Sequence, residues 1–299
     1  MRITYSIIIP HKNAPALLMR CLSSIPNRDD TEIIIVDDGS DPTIVDFDCF
    51  PGSSRKNTLC IFLKESTGAG HARNIGIEKA IGKWLLFADA DDFYTKNLPS
   101  LLDTYKDDTS TDIVYLNAQT FYEIDSTVKP QSFSKYFKRF EQKRYYSEKV
   151  IRYNIWTPWS RMVKREMVLN HGIKYEEIPV GNDQMFCLNC SKFATSIGIE
   201  SRVIYNYFVP EKGSITYAYS SNVESIRQRL ELQFRVNKFY DEVGFIFKRS
   251  YIYGYYRGNI KDKELKSIYK SFMKSHSIGL MKDLFYMIMS VGGKMLGII

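Results

Sequence analysis

Three carboxylates stand close together in the segment KWLLFADADDF, Lys83 to Phe93. Asp89, Asp91 and Asp92 follow an apolar run of the kind that forms a buried strand. Ionised carboxylates at this spacing repel one another, and burial at a strand end adds to the cost. A divalent cation would relieve the repulsion, because Mg²⁺ and Mn²⁺ prefer oxygen ligands. The segment therefore predicts a metal site, with a solvated acidic turn as the alternative.

Strands and helices alternate in the part of the chain that must position these acids. Short, continuously apolar runs predict buried strands, and apolar residues at helical spacing predict the helices between them. Such strands are typical of a mostly parallel sheet that helices cover on both faces. Farther along, DIVYLNAQTFYEI predicts another strand and NDQMFCLNCSKFA another helix, and the chain is helical from 220 onward. The predicted early strands are Tyr5–Pro10, Glu32–Ser40, Thr58–Leu63 and Lys83–Ala88, and the predicted helices span 14–25 and Gly70–Gly82.

Polar residues recur where three of these strands end. Asn13 follows the first strand, Asp38 ends the second, and the acids follow the fourth. Parallel strands end at one edge of the sheet, which is where ligands of open α/β sheets bind. On an extended backbone Asp89 and Asp91 point the same way, so Asp91 can bind a metal while Asp89 meets the rest of the ligand.

The segments SIIIP with Asn13, EIIIVDDGS and GAGHARNIGIEKAIGKWLLFADADD, in this order, resemble the inverting family 2 glycosyltransferases of the bacterial cell-surface polysaccharide type. The resemblance covers about residues 5–105 strongly and 155–190 moderately. It implies an α/β fold called GT-A, a Rossmann-like mixed sheet with helices on both faces. It also implies sugar transfer from a nucleotide-sugar donor, most commonly UDP-linked, to a glycan or polyprenyl-diphosphate-linked acceptor.

The resemblance further implies roles for single residues. Asp38 would contact the nucleotide base, the segment Gly70 to Asn74 would flank base and ribose, and Asp89 would face the ribose. Asp91, with Asp89, would hold Mn²⁺ or Mg²⁺ on the donor diphosphate. The full set of donor-binding residues implied in this way is Pro10, Asn13, Asp38, Gly70, Arg73, Asp89, Ala90 and Asp91.

A second matching segment, WSRMVKREMVLNHGIKYEEIPVGNDQMF, implies the catalytic base. Asp183 holds the family's base position, whereas Asn182 replaces a usual acid and Arg161 a usual lysine. As a base, Asp183 would take the proton of an acceptor hydroxyl that attacks the anomeric carbon opposite the leaving diphosphate, which inverts that carbon. The alternative for Asp183 is a helix cap, because it directly precedes a predicted helix.

Positive charge is concentrated near the C-terminus. Residues 1–215 hold 27 basic and 27 acidic side chains, whereas residues 216–299 hold 14 and 7. A neutral body argues against nucleic-acid binding, and the basic region predicts an anionic partner surface. We therefore expect a glycosyltransferase domain over 1–215, divided into a nucleotide-sugar half (1–109) and an acceptor half (110–215), followed by a mainly helical region over 216–299.

The tail from Leu284 to Gly293 carries no charge. Ten residues are too few for a bilayer core, which needs about 20. The tail is therefore predicted either to lie on an anionic membrane face or to pack on the body as a helix.

Five cysteines and the first residues of the chain bear on the compartment. The N-terminal apolar run is shorter than that of a signal peptide, and an odd number of cysteines fits a reducing cytosol. Cys187 and Cys190 form a CxxC without the second pair that zinc requires, so free thiols are expected. The predicted location is the cytoplasm, with peripheral attachment to the inner face of the cell membrane as an option.

Other functions remain as alternatives. A haloacid-dehalogenase-like phosphohydrolase also carries Asp-x-Asp after a strand, but normally after its first strand. A dinucleotide-binding oxidoreductase requires G-x-G-x-x-G, and Arg73 takes the last of those positions. A non-catalytic module that binds sugar nucleotides or glycans is the third, against which the acids at 89, 91 and 183 argue.

Overall fold

The computed structural model describes residues 2–143, 147–210, 223–251 and 263–295. Its strands are β1 (Tyr5–His11), β2 (Thr31–Asp37), β3 (Thr58–Phe62), β4 (Trp84–Phe87), β5 (Phe93–Tyr94), β6 (Ile113–Tyr122), β7 (Thr127–Pro130), β8 (Arg161–Lys164) and β9 (Ile197–Val209). The helices are α1 (Pro15–Ser23), α2 (Ala69–Lys79), α3 (Leu98–Tyr105), α4 (Ser134–Glu141), α5 (Ser147–Asn154), α6 (Arg165–Asn170), α7 (Gln184–Phe193), α8 (Val223–Glu242), α9 (Lys263–Ser275) and α10 (Leu280–Met295). A short 3₁₀ turn, Pro158–Ser160, precedes β8.

These strands form one mixed sheet in the order β3-β2-β1-β4-β8-β6-β9-β5, with β7 beside β6. The first four are parallel, as the sequence predicts. β1 and β4 lie where the sheet is covered, and every residue of both is buried. β3, which the sequence predicts to be buried, is instead only partly buried, because it forms the edge of the sheet. β8 then runs antiparallel to both β4 and β6, so the sheet becomes mixed at the point where its second half begins.

The second half of the sheet is built by β6, β9 and β5. β6 and β9 run parallel, with a register irregularity near Asn117, and β5 lies antiparallel on β9. This pairing places β5, which follows the acids after β4, against β9 from the far end of the domain. The predicted α/β architecture with a mixed sheet is therefore confirmed.

The C-terminal helices pack in two apolar clusters. α8 contributes Leu232, Val236 and Tyr240 to a cluster with Val150 of α5 and Leu188 of α7. A second cluster joins the start of α8 to α9 and α10. The division predicted at 215/216 falls among residues 211–222, outside the described ranges. None of the helices described combines the length and apolar character that crossing a bilayer requires.

Candidate active site

The carboxyl ends of β1, β2 and β4 open on one edge of the sheet. β1 lies between the other two and runs parallel to both. His11 and Asp37 are paired across the ends of β1 and β2, and Asp89 lies just beyond β4. The polar segments predicted from the sequence therefore meet where open α/β sheets bind ligands.

Asp89, Asp91 and Asp92 form an acidic cluster in which one carboxylate oxygen of each lies within 4.8 Å of the others. Their surroundings differ. Asp91 is exposed and Asp89 is partly exposed, whereas Asp92 is fully buried. The backbone N–H of Phe208 donates to Asp92 Oδ1 at 2.7 Å. Asp92 therefore ties the cluster to β9, while the other two carboxylates stay open to a ligand.

Enclosure and mutual repulsion disfavour the charged forms of these acids. Partial desolvation in the crevice, followed by the charge of Asp89, raises the pKa of the Asp91 carboxyl to about 6. Burial and the charges of both neighbours raise the pKa of Asp92 well above its usual value. An oxygen-only set of carboxylates is the donor set that Mg²⁺ and Mn²⁺ prefer, and a bound cation would offset the repulsion. The residues present therefore fit a divalent metal.

Arg73 connects the acidic cluster with the other half of the site. Its Nη2 lies 2.5 Å from Asp89 Oδ1, and its Nη1 donates to Asn182 Oδ1 at 3.1 Å. The guanidinium also lies over the ring of Tyr175, 5.3 Å from its centroid. Because the side chain is buried and its two Nη atoms donate to different residues, the single ammonium of a lysine could not make both contacts.

Asp183 directly precedes α7 and follows Asn182. It holds the N-cap position, but its side chain makes no capping hydrogen bond to the first turn of α7, all of which is described. The capping alternative is therefore not realised. Burial raises the pKa of the Asp183 carboxyl, and the charge of Arg73 opposes that rise. A raised pKa makes a carboxylate a better proton acceptor near neutral pH.

Helix α2 holds the segment that leads to Asp183. The Asn74 side chain donates to the Tyr175 carbonyl at 3.0 Å and accepts from its N–H at 2.8 Å. A Cβ on Gly70 would lie 2.2 Å from the carbonyl oxygen of Glu176, so only glycine lets the two segments approach this closely. The predicted contacts of this part of α2 with the donor stay predictions.

Arg161, where the family usually has lysine, does not lie in the crevice. It is fully buried, and its guanidinium donates to the carbonyls of Cys187, at 2.7 Å, and Ile155. These contacts place the cation beneath α7. Cys187 and Cys190, also buried in α7, are free thiols, as predicted.

Asp38 and Asn13 lie at the same edge of the sheet, where their side chains accept hydrogen bonds from neighbouring loops. The Asp38 carboxylate accepts from the N–H groups of Thr67, at 2.8 Å, and Gly68, at 2.9 Å, and from the hydroxyl of Ser66 at 2.7 Å. Asn13 adopts a left-handed conformation, with φ of 52°, and its Oδ1 accepts from the N–H of Asp41. Asp38 thus fixes the loop before α2. Of the remaining predicted donor-binding residues, Pro10 lies buried in β1 and Ala90 lies buried between the acids.

A hydrogen-bonded chain at the ends of β1 and β2 has no assigned role in the sequence analysis. The N–H of Ala14 donates to His11 Nε2, so the ring proton sits on Nδ1 and is donated to Asp37 Oδ2 at 2.7 Å. Asp37 also accepts from the Ser40 hydroxyl at 2.6 Å. Burial favours the neutral form of Asp37, but the hydrogen bonds with His11 and Ser40 favour the carboxylate more strongly. The pKa of Asp37 is therefore lowered. The sequence signal that could have identified this hydrogen-bonded chain was that His11 and Asp37 stand at equivalent strand ends.

Arg20 of α1 is a second residue that the sequence analysis missed. Its Nη2 donates to the backbone carbonyl of Asp91 at 2.6 Å. Its guanidinium lies 3.7 Å from the centroid of the Phe208 ring. Arg20 therefore braces the acidic cluster from the side of α1, and a lone arginine on an amphipathic helix carries no sequence signal of that role.

Comparison with known proteins identifies the family to which the chain is similar. The family model described as Glycosyl transferase family 2 matches residues 6–169, more than half of the chain. The putative glycosyltransferase EpsH of Bacillus subtilis is 28% identical over 213 residues, which cover 68% of this chain and 60% of EpsH. A PGL/p-HBAD biosynthesis glycosyltransferase of Mycobacterium bovis is 38% identical over 90 residues, which cover 29% of this chain and 35% of that protein. The chain thus spans less than two thirds of either relative.

Solved structures share the fold across almost the whole chain. Residues 1–349 of S. aureus TarS, in complex with UDP-GlcNAc, match with a TM-score of 0.68 at 16% identity, covering 99% of this chain and 92% of that one. The mannosyltransferase PcManGT from Pyrobaculum calidifontis, in complex with GDP-Man and Mn²⁺, matches with a TM-score of 0.55 at 14% identity, covering 97% and 87%. The chain therefore has the GT-A fold predicted for it.

Proposed function

We propose that this chain, which belongs to glycosyl transferase family 2, transfers a hexose from a nucleotide-sugar donor to a glycan or lipid-linked glycan in surface polysaccharide synthesis. The observation that carries the proposal is the acidic cluster at the shared ends of β1, β2 and β4, joined through Arg73 to the segment with Asp183. The acidic cluster would serve the donor diphosphate, and the segment with Asp183 would serve the acceptor hydroxyl. The teichoic acid poly(glycerol phosphate) polymerase of Staphylococcus epidermidis, 37% identical over 97 residues that cover 29% of this chain and 12% of that protein, supports a surface-polymer role.

The donor half would consist of the sheet edge and the loop before α2. Asp38 holds the loop Ser66–Gly68, which would flank the nucleotide base together with Pro10 and Asn13. Asp89, already fixed by Arg73, would face the ribose. A UDP-linked donor is proposed because the TarS structure holds UDP-GlcNAc.

Asp91 and Asp89 would hold Mn²⁺ or Mg²⁺. When bound, such an ion neutralises the charge that develops on the leaving diphosphate. The chain's own contribution is to keep the Asp91 carboxylate exposed and correctly placed, through the Arg20 hydrogen bond to its backbone and the anchoring of Asp92 on β9. The Mn²⁺ in the PcManGT structure supports this assignment.

Asp183 would act as the general base in a single displacement. The acceptor oxygen attacks the anomeric carbon, its proton passes to Asp183, and the bond to the diphosphate oxygen breaks, so the configuration inverts. The burial that raises its pKa suits this role. Peripheral attachment to an anionic membrane face is proposed as well, since it would bring a lipid-linked acceptor to the site.

A thermal-shift screen of nucleotides and sugar nucleotides, with and without Mn²⁺, tests the donor. Because a ligand that binds the folded state stabilises it by mass action, the true donor should raise the melting temperature, and more so with Mn²⁺. No shift with any sugar nucleotide would contradict the proposal.

Replacement of the base tests the reaction itself. With the donor and acceptor found, Asp183→Asn should lower turnover by about 10²- to 10⁴-fold at unchanged donor affinity, whereas Asp183→Glu should retain part of it. Near-normal turnover of Asp183→Asn, or a product that retains the donor configuration, would refute the assigned role.

A further inference from the structure

Helix α10 has two opposite faces of different character. At 100° per residue, Asp283 and Tyr286 fall on one face, and both are buried. The opposite face carries exposed apolar side chains that recur every three or four residues. This exposed set, called the α10 stripe, consists of Met281, Leu284, Phe285, Ile288, Val291 and Met295.

Buried polar contacts fix which way the α10 stripe points. Asp283 is fully buried, and its carboxylate accepts from the hydroxyl of Ser250 at 2.8 Å and from the N–H of Tyr251 at 2.6 Å. Tyr286 packs in the apolar cluster with Tyr269 and Phe272 of α9. Rotation of α10 about its axis would break these hydrogen bonds and leave a buried carboxylate unsatisfied, which costs free energy. The stripe is therefore held outward by the packing of the other face.

The large exposed fraction of these apolar side chains distinguishes the stripe from ordinary surface residues. Met281 is 77% exposed, Phe285 56%, Ile288 58% and Met295 83%. Single exposed apolar residues are normal, but a contiguous set on one helix face indicates an interaction surface. Of the two outcomes weighed for the tail from the sequence, packing on the body as a helix is observed for one face of α10, and contact of the other face with a membrane stays a prediction.

The helices at this end of the chain carry exposed positive charge, which an anionic surface would complement. Lys282 is exposed on α10, and Asp283, the one acidic side chain in this helix, is buried. On α9, four exposed lysines lie on one face at positions 263, 266, 270 and 274. Residues 216–299 carry all of the chain's excess charge of +7. An amphipathic helix with this combination binds membranes by burying its apolar face at the headgroup level while lysines meet anionic lipids.

We propose that the α10 stripe docks on a bilayer with anionic headgroups, with Asp283 as the residue that orients the helix for docking. This proposal names the surface through which the membrane attachment proposed above would occur. It rests on the proposed function only in that a lipid-linked acceptor would explain why the protein binds a membrane. Binding to lipid requires neither donor nor metal, so the two proposals can fail separately. An Asp91→Asn variant should float with vesicles as the wild type does.

Vesicle flotation of the full chain tests the surface. Wild type should float with phosphatidylcholine vesicles that contain phosphatidylglycerol and not with phosphatidylcholine alone. Phe285→Asp/Ile288→Asp should lower recovery at least tenfold, whereas Ile124→Asp, at a site 69% exposed in the turn between β6 and β7, should float normally. Equal flotation of the double variant, or equal binding to both vesicles, would overturn the proposal.

Two further measurements distinguish insertion into lipid from association between copies of the chain. Ile288→Trp keeps the stripe apolar, and its fluorescence, corrected for the wild-type signal, should shift to shorter wavelength on anionic vesicles; no shift would contradict insertion. Sedimentation should show the same oligomeric state for wild type and the double variant. A dimer that the double substitution dissociates would mean that a second copy covers the stripe, which would also overturn the proposal.

Discussion

Replacing Asp91 with asparagine should make the metal-free protein more stable at pH 8. The wild-type carboxyl has a pKa of about 6, raised from 3.8, so folding disfavours its charged form. The penalty is absent below pH 3.8, where the group is protonated in both states, grows between pH 3.8 and 6, and is complete above pH 6. Asparagine is neutral at every pH and avoids it.

The size of the effect follows from the shift. Each pKa unit corresponds to about 1.4 kcal/mol, so the full shift would give about 3 kcal/mol. Asp91 is exposed, however, and solvent screens such interactions, which reduces the expected gain to about 1 kcal/mol. For a chain of this size that gain corresponds to roughly 2 °C in melting temperature.

Thermal melts in EDTA at pH 8 and pH 4 measure this difference in melting temperature between Asp91→Asn and wild type. Asp91→Asn should melt above wild type at pH 8 and level with it near pH 4, while Asp107→Asn, at an exposed position outside the cluster, should not change the melt at either pH. Saturating Mn²⁺ should reverse the order, since only wild type gains binding free energy, about 2.7 kcal/mol at a hundredfold excess over Kd. A variant that melts at or below wild type at pH 8 in EDTA would refute the electrostatic reasoning.

Three other substitutions probe the scaffold of the site. Arg73→Lys should lower turnover about 10- to 100-fold, because one ammonium cannot fix Asp89 and the base segment together; normal kinetics would rule out this bridging role. Gly70→Ala should lower the free energy of unfolding by about 1–3 kcal/mol, measured by urea denaturation. Gly279→Ala is its control and should change little, since its Cβ would meet nothing within 4 Å. Asp38→Asn should cost about 1–3 kcal/mol in the same assay, because an amide donor would face the loop N–H groups; an unchanged midpoint would contradict that anchoring.

The parts of the fold that the sequence predicts are those whose signal is local. β1, β2 and β4 each contain a continuous apolar run because both faces of the sheet are covered there, and this pattern is visible without any partner strand. The acids after β4 are likewise marked by their place at a strand end, whereas Asp183 before α7 is marked by the family resemblance of its segment. The structure agrees with both placements.

The rest depends on contacts between distant segments. β9 carries Glu200 and Arg202, which pair with each other, so its sequence does not resemble a buried strand. α4 spans only eight residues and fully buries only Phe137, so its apolar pattern is short. The hydrogen bond from His11 to Asp37 arises from the register of β1 on β2, which no local pattern specifies.

Calorimetric titration of the nucleoside diphosphates UDP and GDP tests the central claim most directly. In Mn²⁺ the wild type should bind one of them, EDTA should weaken that binding at least tenfold, and Asp91→Asn should bind equally weakly with or without the metal. Binding that ignores Mn²⁺, an Asp91→Asn variant that binds as wild type does, or no binding of either nucleotide would contradict the account of a metal-dependent donor site at the acidic cluster.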